Sequence, residues 1–356
     1  MNTLVNIVIT ALLVIWGGVL MMSPMMIAAR GMRDSRSSVL MVMVILGYPI
    51  IVFLIVKFLG FRYFGTNTTG WLIAVTVVWG LVISLYGLPR LLLNIGKGIP
   101  NNGYFITPEV VYLDGKQVKG ADPKSFRSLD DDRYAVDATS VYYYGKQIPD
   151  AHAHSFRPLT GQADSIVSGT FATYWVDDSR VYYNGTPIPN SDAETFQLLT
   201  NAYAKDKNRV YFTDRVLAGA KPETFRLLNE VIGTDGEAVY VSVKRSNTRV
   251  DMNTFEAVDG EYCRDKDNIY MVFILQDEPL VKAEGADPET FTVLERSYAK
   301  DKNHVYFFGS YEGKGQRFVT LKGANPATFT IAYDAKTRSE AHDGNRHWMY
   351  GELVKP

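Results

Sequence analysis

The chain contains one cysteine, Cys263, in 356 residues. A lone thiol closes no intrachain disulfide and cannot supply the paired spacing of a zinc site. Catalytic frames are missing as well. There is no nucleophile elbow, phosphate-binding loop, HExxH helix, CxxC pair or glycine-rich dinucleotide loop. Ser, His and Asp can be matched on paper in any chain of this length, so without such a frame no enzyme activity and no cofactor are expected. Basic charge is also scarce where nucleic acid would need it. Of 37 basic and 38 acidic residues, six basic (Arg30, Arg33, Arg36, Lys57, Arg62, Arg90) and one acidic (Asp34) fall in 1–93, leaving 31 against 37 downstream. A mildly acidic body is a poor match to polyphosphate, which excludes nucleic acid as the expected partner.

The first ninety residues lack charge over three long stretches: Leu4 to Ala29, Val39 to Val56 and Trp71 to Leu88. Each approaches the roughly 20 apolar residues that cross a bilayer as a helix. In lipid every peptide group must be bonded within its own segment, so helices are the expected form. A cleaved signal peptide fits poorly, because the first run has no basic flank before it, is too long, and is followed by two more. The expected division is a transmembrane domain over 1–95, with helices near 4–29, 38–59 and 71–93, and a β domain over 104–350. The short-loop rule favours a cytoplasmic β domain, with a periplasmic one as the alternative. Placing the first loop (Arg30, Arg33, Arg36) and the tail (Arg90, Lys97) inside puts five basic residues in the cytoplasm and leaves Lys57 and Arg62 outside. The expected partner on this side of the argument is the lipid bilayer.

Downstream, one phrase recurs. "YAKDKNRVYF" runs from Tyr203 to Phe212 and "YAKDKNHVYFFG" from Tyr298 to Gly309. Weaker copies carry an Asp five residues before a Tyr: Asp137 and Tyr142, Asp177 and Tyr182, Asp206 and Tyr211, Asp235 and Tyr240, Asp265 and Tyr270, Asp301 and Tyr306. The first copy has Thr107 before Tyr112, and the last has Asp343 before Trp348. A second block, such as "GADPETF", places a Phe at 126, 156, 196, 225, 255, 291 and 329. The period is about 30 residues, which signals a repeat architecture. So many copies exceed the needs of one active site, and the residues of the phrase are read as structural.

Taking 291–309 as the type unit, an extended segment is expected from Phe291 to the corner at Asp301–His304, with "HVYFFG" returning as its hairpin partner. Asp suits the corner because its carboxylate accepts an N–H two residues on. Asn208 and Asn303 suit it because Asn tolerates left-handed φ. The fold expected is three transmembrane helices followed by an all-β array of stacked hairpins or meanders, open and curved, with a β-propeller as the alternative.

At "DKNRVYF" and "DKNHVYF" the chain resembles the bacterial DKNYY family. The match rests on Asp206, Lys207, Asn208, Val210, Tyr211 and Phe212, and on Asp301, Lys302, Asn303, Val305, Tyr306 and Phe307. "RDKDNIYM" is a looser copy. The family often follows membrane segments and has no established catalytic residues, so the resemblance implies a bacterial envelope protein, and the three apolar runs make the expected place the bacterial inner membrane, crossed more than once.

Two metal readings arise. Asp206/Asn208, Asp265/Asp267 and Asp301/Asn303 resemble the opening of a calcium loop, but the later bidentate carboxylate is absent. Asp150, His152 and His154 could chelate a metal if they alternated on a strand. The repeat alignment puts them on a connector, so they are weak candidates and no metal site is expected. The expectation is a non-enzymatic binding protein with a protein partner, in its sharpest form an immunity or accessory protein that neutralises an antibacterial toxin. An envelope sensor or scaffold, or a glycan-binding repeat protein, is the alternative.

Overall fold

The computed structural model describes residues 2–28, 30–159, 174–259, 261–295, 297–310, 315–344 and 346–354. The chain divides into two compact units, residues 1–154 and 155–356.

The first unit opens with helices. α1 spans Asn2–Ala28, α2 is the single turn Arg30–Arg33, α3 spans Arg36–Phe58, α4 Thr68–Leu85 and α5 Leu88–Gly96. Three of them, α1, α3 and α4, are long and apolar enough to cross a membrane, which marks a membrane protein. Local chemistry sets their ends. Ser35 caps α3 by accepting the Ser38 N–H, and Asn67 caps α4 by accepting the Thr69 N–H. The third apolar stretch breaks at Gly87, whose φ of +66° no helix interior tolerates, and Pro89 then starts α5.

The helices meet through polar atoms on apolar bodies. Trp16 Nε1 donates to the Leu46 carbonyl at 2.8 Å, and Trp79 Nε1 to the Met43 carbonyl at 3.0 Å. An indole N–H has no water to turn to in such surroundings, so it bonds a helix carbonyl with a spare lone pair. Gly47 makes room for Trp79, since a Cβ there would lie 2.8 Å from the indole nitrogen.

The remainder is eight small antiparallel sheets, one of three strands and seven of four, each a meander in chain order. None closes into a barrel. Two sheets, over 104–117 and 127–148, belong to the first unit, and six belong to the second. In a typical unit Gln197–Leu198, Tyr203–Lys205, Val210–Phe212 and Arg215–Val216 pair in order, with Tyr203 opposite Phe212 and Ala204 opposite Tyr211.

Two local expectations are corrected. The segment from Phe291 to Lys300 is not one extended strand. Thr292–Val293 and Tyr298–Lys300 are separate strands that pair with each other. The polar residues between them turn the chain, with Tyr298 N–H bonded to the Glu295 carbonyl and Ser297 at φ +65°. Nor do Asn208 and Asn303 adopt left-handed φ. The left-handed residues stand at the other end of the hairpin, at Asp114, Tyr144, Asn184, Thr213, Ser242 and Tyr350. There a two-residue turn must match the strand twist, which needs positive φ.

The core is an aromatic relay. In five repeats the connector Phe sits between a first-strand Tyr of the repeat before it and the second-strand aromatic of its own. Phe196 lies 5.6 Å from Tyr174 and 5.2 Å from Tyr211 between ring centres. Phe225 bridges Tyr203 and Tyr240, Phe291 bridges Tyr262 and Tyr306, and Phe329 bridges Tyr298 and Trp348. In the first unit Phe126 bridges Tyr104 and Tyr142 in the same way. Apart from the half-buried Tyr104, these Phe and Tyr side chains are buried, each contributing about 1.5–3 kcal/mol.

Candidate functional site

The recurring Asp is the natural place to look for chemistry, because it is charged and buried in every copy from Asp137 to Asp343. Its geometry repeats. Asp206 Oδ1 accepts the N–H groups of Asn208 (2.7 Å) and Arg209 (2.8 Å). Its Oδ2 accepts the Tyr211 hydroxyl at 2.7 Å and the N–H of Asp192, fourteen residues back in the connector, at 2.9 Å. Asp301 does the same with Asn303, His304, Tyr306 and Asp287. So do Asp137, Asp235 and Asp265, each with its own pair of turn N–H groups, its Tyr and its connector N–H. Asp177 accepts from Ser179, Arg180 and Tyr182. One carboxylate thus fixes the turn, anchors the second strand and ties the connector down.

The electrostatics follow. Burial pushes the carboxyls of Asp137, Asp235, Asp265 and Asp301 up, but the donors outweigh it and hold each below the ordinary carboxylate range. The partner phenols move the other way. Burial and the neighbouring Asp push Tyr142 and Tyr240 up to about 12, and Tyr182, Tyr211, Tyr270 and Tyr306 are raised as well. A carboxylate whose oxygens each receive two donors is a poor base and a poor ligand, because a substrate proton or a cation would have to displace bonds that hold the turn.

The end copies show the same need met by other atoms. Thr107 replaces the first Asp, and its hydroxyl exchanges bonds with both backbone groups of Val110. Trp348 has no hydroxyl to offer, and the Thr328 hydroxyl bonds Asp343 in its place. The Lys of the motif lies outside the core. Lys207 pairs with Asp192 and Lys302 with Asp287, both at 2.6 Å and on the surface, where such pairs contribute little.

One recurring group escaped the sequence reading. The residue before every connector Phe is Ser or Thr: 125, 155, 195, 224, 254, 290 and 328. The hydroxyls of Ser125, Ser155, Thr195, Thr254 and Thr290 accept the N–H just after their corner Asp, that of Lys207 for Thr195. Strict recurrence of a hydroxyl beside the Phe is the signal that could have found it.

The weak metal candidates lie on a connector. Asp150 is a left-handed turn residue, and the exposed His152 and His154 alternate with the buried Ala151 and Ala153, their rings 6.0 Å apart.

A second polar cluster joins the helices of the first unit to its first sheet. Asn101, fully buried, donates its N–H to Asp34 at 2.6 Å and its side-chain amide to the carbonyls of Arg33 (2.9 Å) and Leu91 (3.3 Å). Its Oδ1 accepts from Asn94 Nδ2 at 2.8 Å, and Asn94 also reaches the Gly115 carbonyl at 2.9 Å. The loop after α1, the helix α5 and the first hairpin therefore share one hydrogen-bonded node.

Comparison with curated proteins and with solved structures returns no match. The model of the DKNYY family matches residues 104–171, 174–306, 262–336 and 278–352, in repeated copies that span most of the chain, and the protein belongs to that family.

Proposed function

We propose that the chain is a membrane-tethered, non-catalytic binding protein that presents its sheets to a protein partner. The observation that carries this reading is the internal use of the corner Asp, its Tyr and the connector Ser/Thr. The Asp bonds the Tyr and the connector hydroxyl accepts the N–H after the Asp, so recognition falls to other residues, which differ between copies. The most exposed of these is the tip of the long turn between Ile269–Val272 and Leu280–Lys282, where Leu275 is 93% exposed beside the half-exposed Ile274. Apolar tips of this kind are anchors in protein interfaces. The acidic balance downstream of residue 93 suits a basic partner.

The node at Asn101 holds the first loop and the start of the β domain together, which favours one side of the membrane for both. The basic residues of that side argue for the cytoplasm of a bacterial inner membrane. The sharper form of the proposal is immunity: neutralising an antibacterial toxin at the membrane. Photocrosslinking in cells from position 275 tests the binding reading, which expects a discrete protein adduct and fails if only lipid or nothing is trapped. Protection of a toxin-exposed strain by this chain alone tests the sharper form, and full sensitivity despite expression would sink it. A reporter fused at the C-terminus decides the side.

A further inference from the structure

We propose that the second unit holds a site for an organic cation, an ammonium or guanidinium group on an aliphatic stem, between its last three sheets. A cavity of about 540 Å³ opens there, lined by Glu340, Glu261, Phe307, Tyr350, Leu275 and Ser310 among others. That volume is in the range of small-molecule sites, which run from about 300 to 1,000 Å³.

Glu340 is the group that asks for a ligand. It is only 6% exposed, yet it lines the cavity. Its Oε1 accepts the Tyr298 hydroxyl at 2.9 Å and the Tyr350 N–H at 2.7 Å. Among the described residues no donor reaches its Oε2 and no cation pairs with it. The buried aspartates of the repeat differ, because both of their oxygens are filled. The carboxylate therefore keeps one oxygen without a protein donor and open to the cavity, where an entering cation can pair with it.

The surroundings agree. Glu261 adds a second carboxylate to the lining, and burial together with the Asp259 charge pushes it up, a strain that a cation would relieve. The aromatic rings of Phe307 and Tyr350 offer the apolar wall that an aliphatic stem and a cation's flat face favour. The site arises where the repeat departs from its own pattern. Tyr174 and Tyr203 donate their hydroxyls to the carbonyls of Ala202 and Val231, each the residue before the next first strand. The counterpart for Tyr262 is Ser297, a lining residue, but Ser297 has left-handed φ and the strand Val305–Ser310 runs on past the usual turn. The Tyr262 hydroxyl is left buried without a partner.

The same chemistry could arrive as a free small molecule or as an Arg or Lys side chain of another protein, and the proposal does not depend on the partner reading above. The test is calorimetric titration of the full chain in non-ionic detergent with two probes: agmatine, and the blocked tripeptide acetyl-Gly-Arg-Gly-amide. Binding of either is expected, weakened at least tenfold by Glu340→Gln and by Glu261→Gln. The amide introduced by Glu340→Gln keeps an acceptor oxygen for Tyr298 and Tyr350. Glu261 stands at the rim, so a matched melting curve for Glu261→Gln guards against loss of fold. Tighter binding of agmatine assigns a free cation, and tighter binding of the peptide assigns a protein side chain. Absence of binding by both probes at millimolar concentration, or binding that Glu261→Gln and Glu340→Gln leave unchanged, overturns the proposal.

Discussion

Asp206 Oδ2 lies 2.7 Å from the Tyr211 hydroxyl, a bond across a five-residue step that returns in six consecutive repeats. Its two ends are not equivalent. Tyr211→Phe removes one donor and leaves the carboxylate with three amides, a loss of about 1.5–3 kcal/mol for a bond to a charged group. Asp206→Ala removes the acceptor and strands a buried hydroxyl and three N–H groups, each at about 1–3 kcal/mol where water cannot reach. Asp206→Ala is therefore expected to destabilise more than Tyr211→Phe. Hydrogen exchange at 203–212 checks the order, and exchange at 339–349 serves as the control, since repeat stability is carried by nearest neighbours.

The depressed carboxyls dictate an acid limit. Asp137, Asp235, Asp265, Asp301 and Asp343 all have folded values below the ordinary one. Their contribution is complete above the unfolded value of about 4 and is lost as pH falls through the lower folded values. The phenols act in reverse. Tyr142 and Tyr240, raised to about 12, contribute fully below the ordinary phenol value of about 10 and lose that contribution as pH climbs toward 12. A stability profile by chemical denaturation is expected to be flat between about pH 5 and 9, falling on both sides. A steep change near pH 6.5 would mean that histidines, not the Asp–Tyr pairs, govern it.

Much of this was legible beforehand because side chains carried it. The five-residue step from Asp to Tyr, the apolar runs and the Phe of each connector are patterns of residue type, and each is a contact in the fold. The fourth bond to each Asp was not legible, because its donor is a backbone N–H. Five of the six residues that provide it are Asp or Asn (Asp122, Asp192, Asp251, Asp287, Asn325), but those side chains bond their own turn, and Lys221 gives the same backbone bond without one. The left-handed turns were misplaced for a related reason. Asn advertises tolerance of positive φ, but the Asp carboxylate already organises its corner in ordinary φ, and the strain falls on Thr213 and Ser242, which advertise nothing. The cation cavity depends on a turn that runs on past its usual end, and only coordinates reveal what that uncovers.

Cys263 offers a sharp check on packing. It is fully buried, paired across the sheet with Tyr270, and burial alone pushes its thiol up to about 12. The thiolate is the reactive form, so the native chain is expected to resist maleimide at about pH 7.5 and to take up one label per chain in denaturant. Rapid native labelling would mean that the sheet over 256–282 opens readily.

The node between helices and sheet can be broken by one methyl group. Gly115 has φ +67°, and a Cβ there would lie 2.3 Å from Asn94 Nδ2 and 2.5 Å from Asn101 Oδ1. Neither amide can retreat, because Asn94 and Asn101 bond each other and Asn101 is held by Asp34, Arg33 and Leu91. Gly145 is the control. Its φ of +69° carries the same conformational cost, but its Cβ would approach the end of the Leu113 side chain at 3.0 Å, which can shift. Alanine at either position adds roughly 1–2 kcal/mol of backbone strain. Only Gly115→Ala should also release the Asn101 amide from Asp34. Hydrogen exchange at Asn101, or proteolysis between Lys97 and Tyr104, is expected to rise at least tenfold in Gly115→Ala and to change little in Gly145→Ala. Equal behaviour of the two variants would show that the segment is held by its helix and not by the asparagine pair.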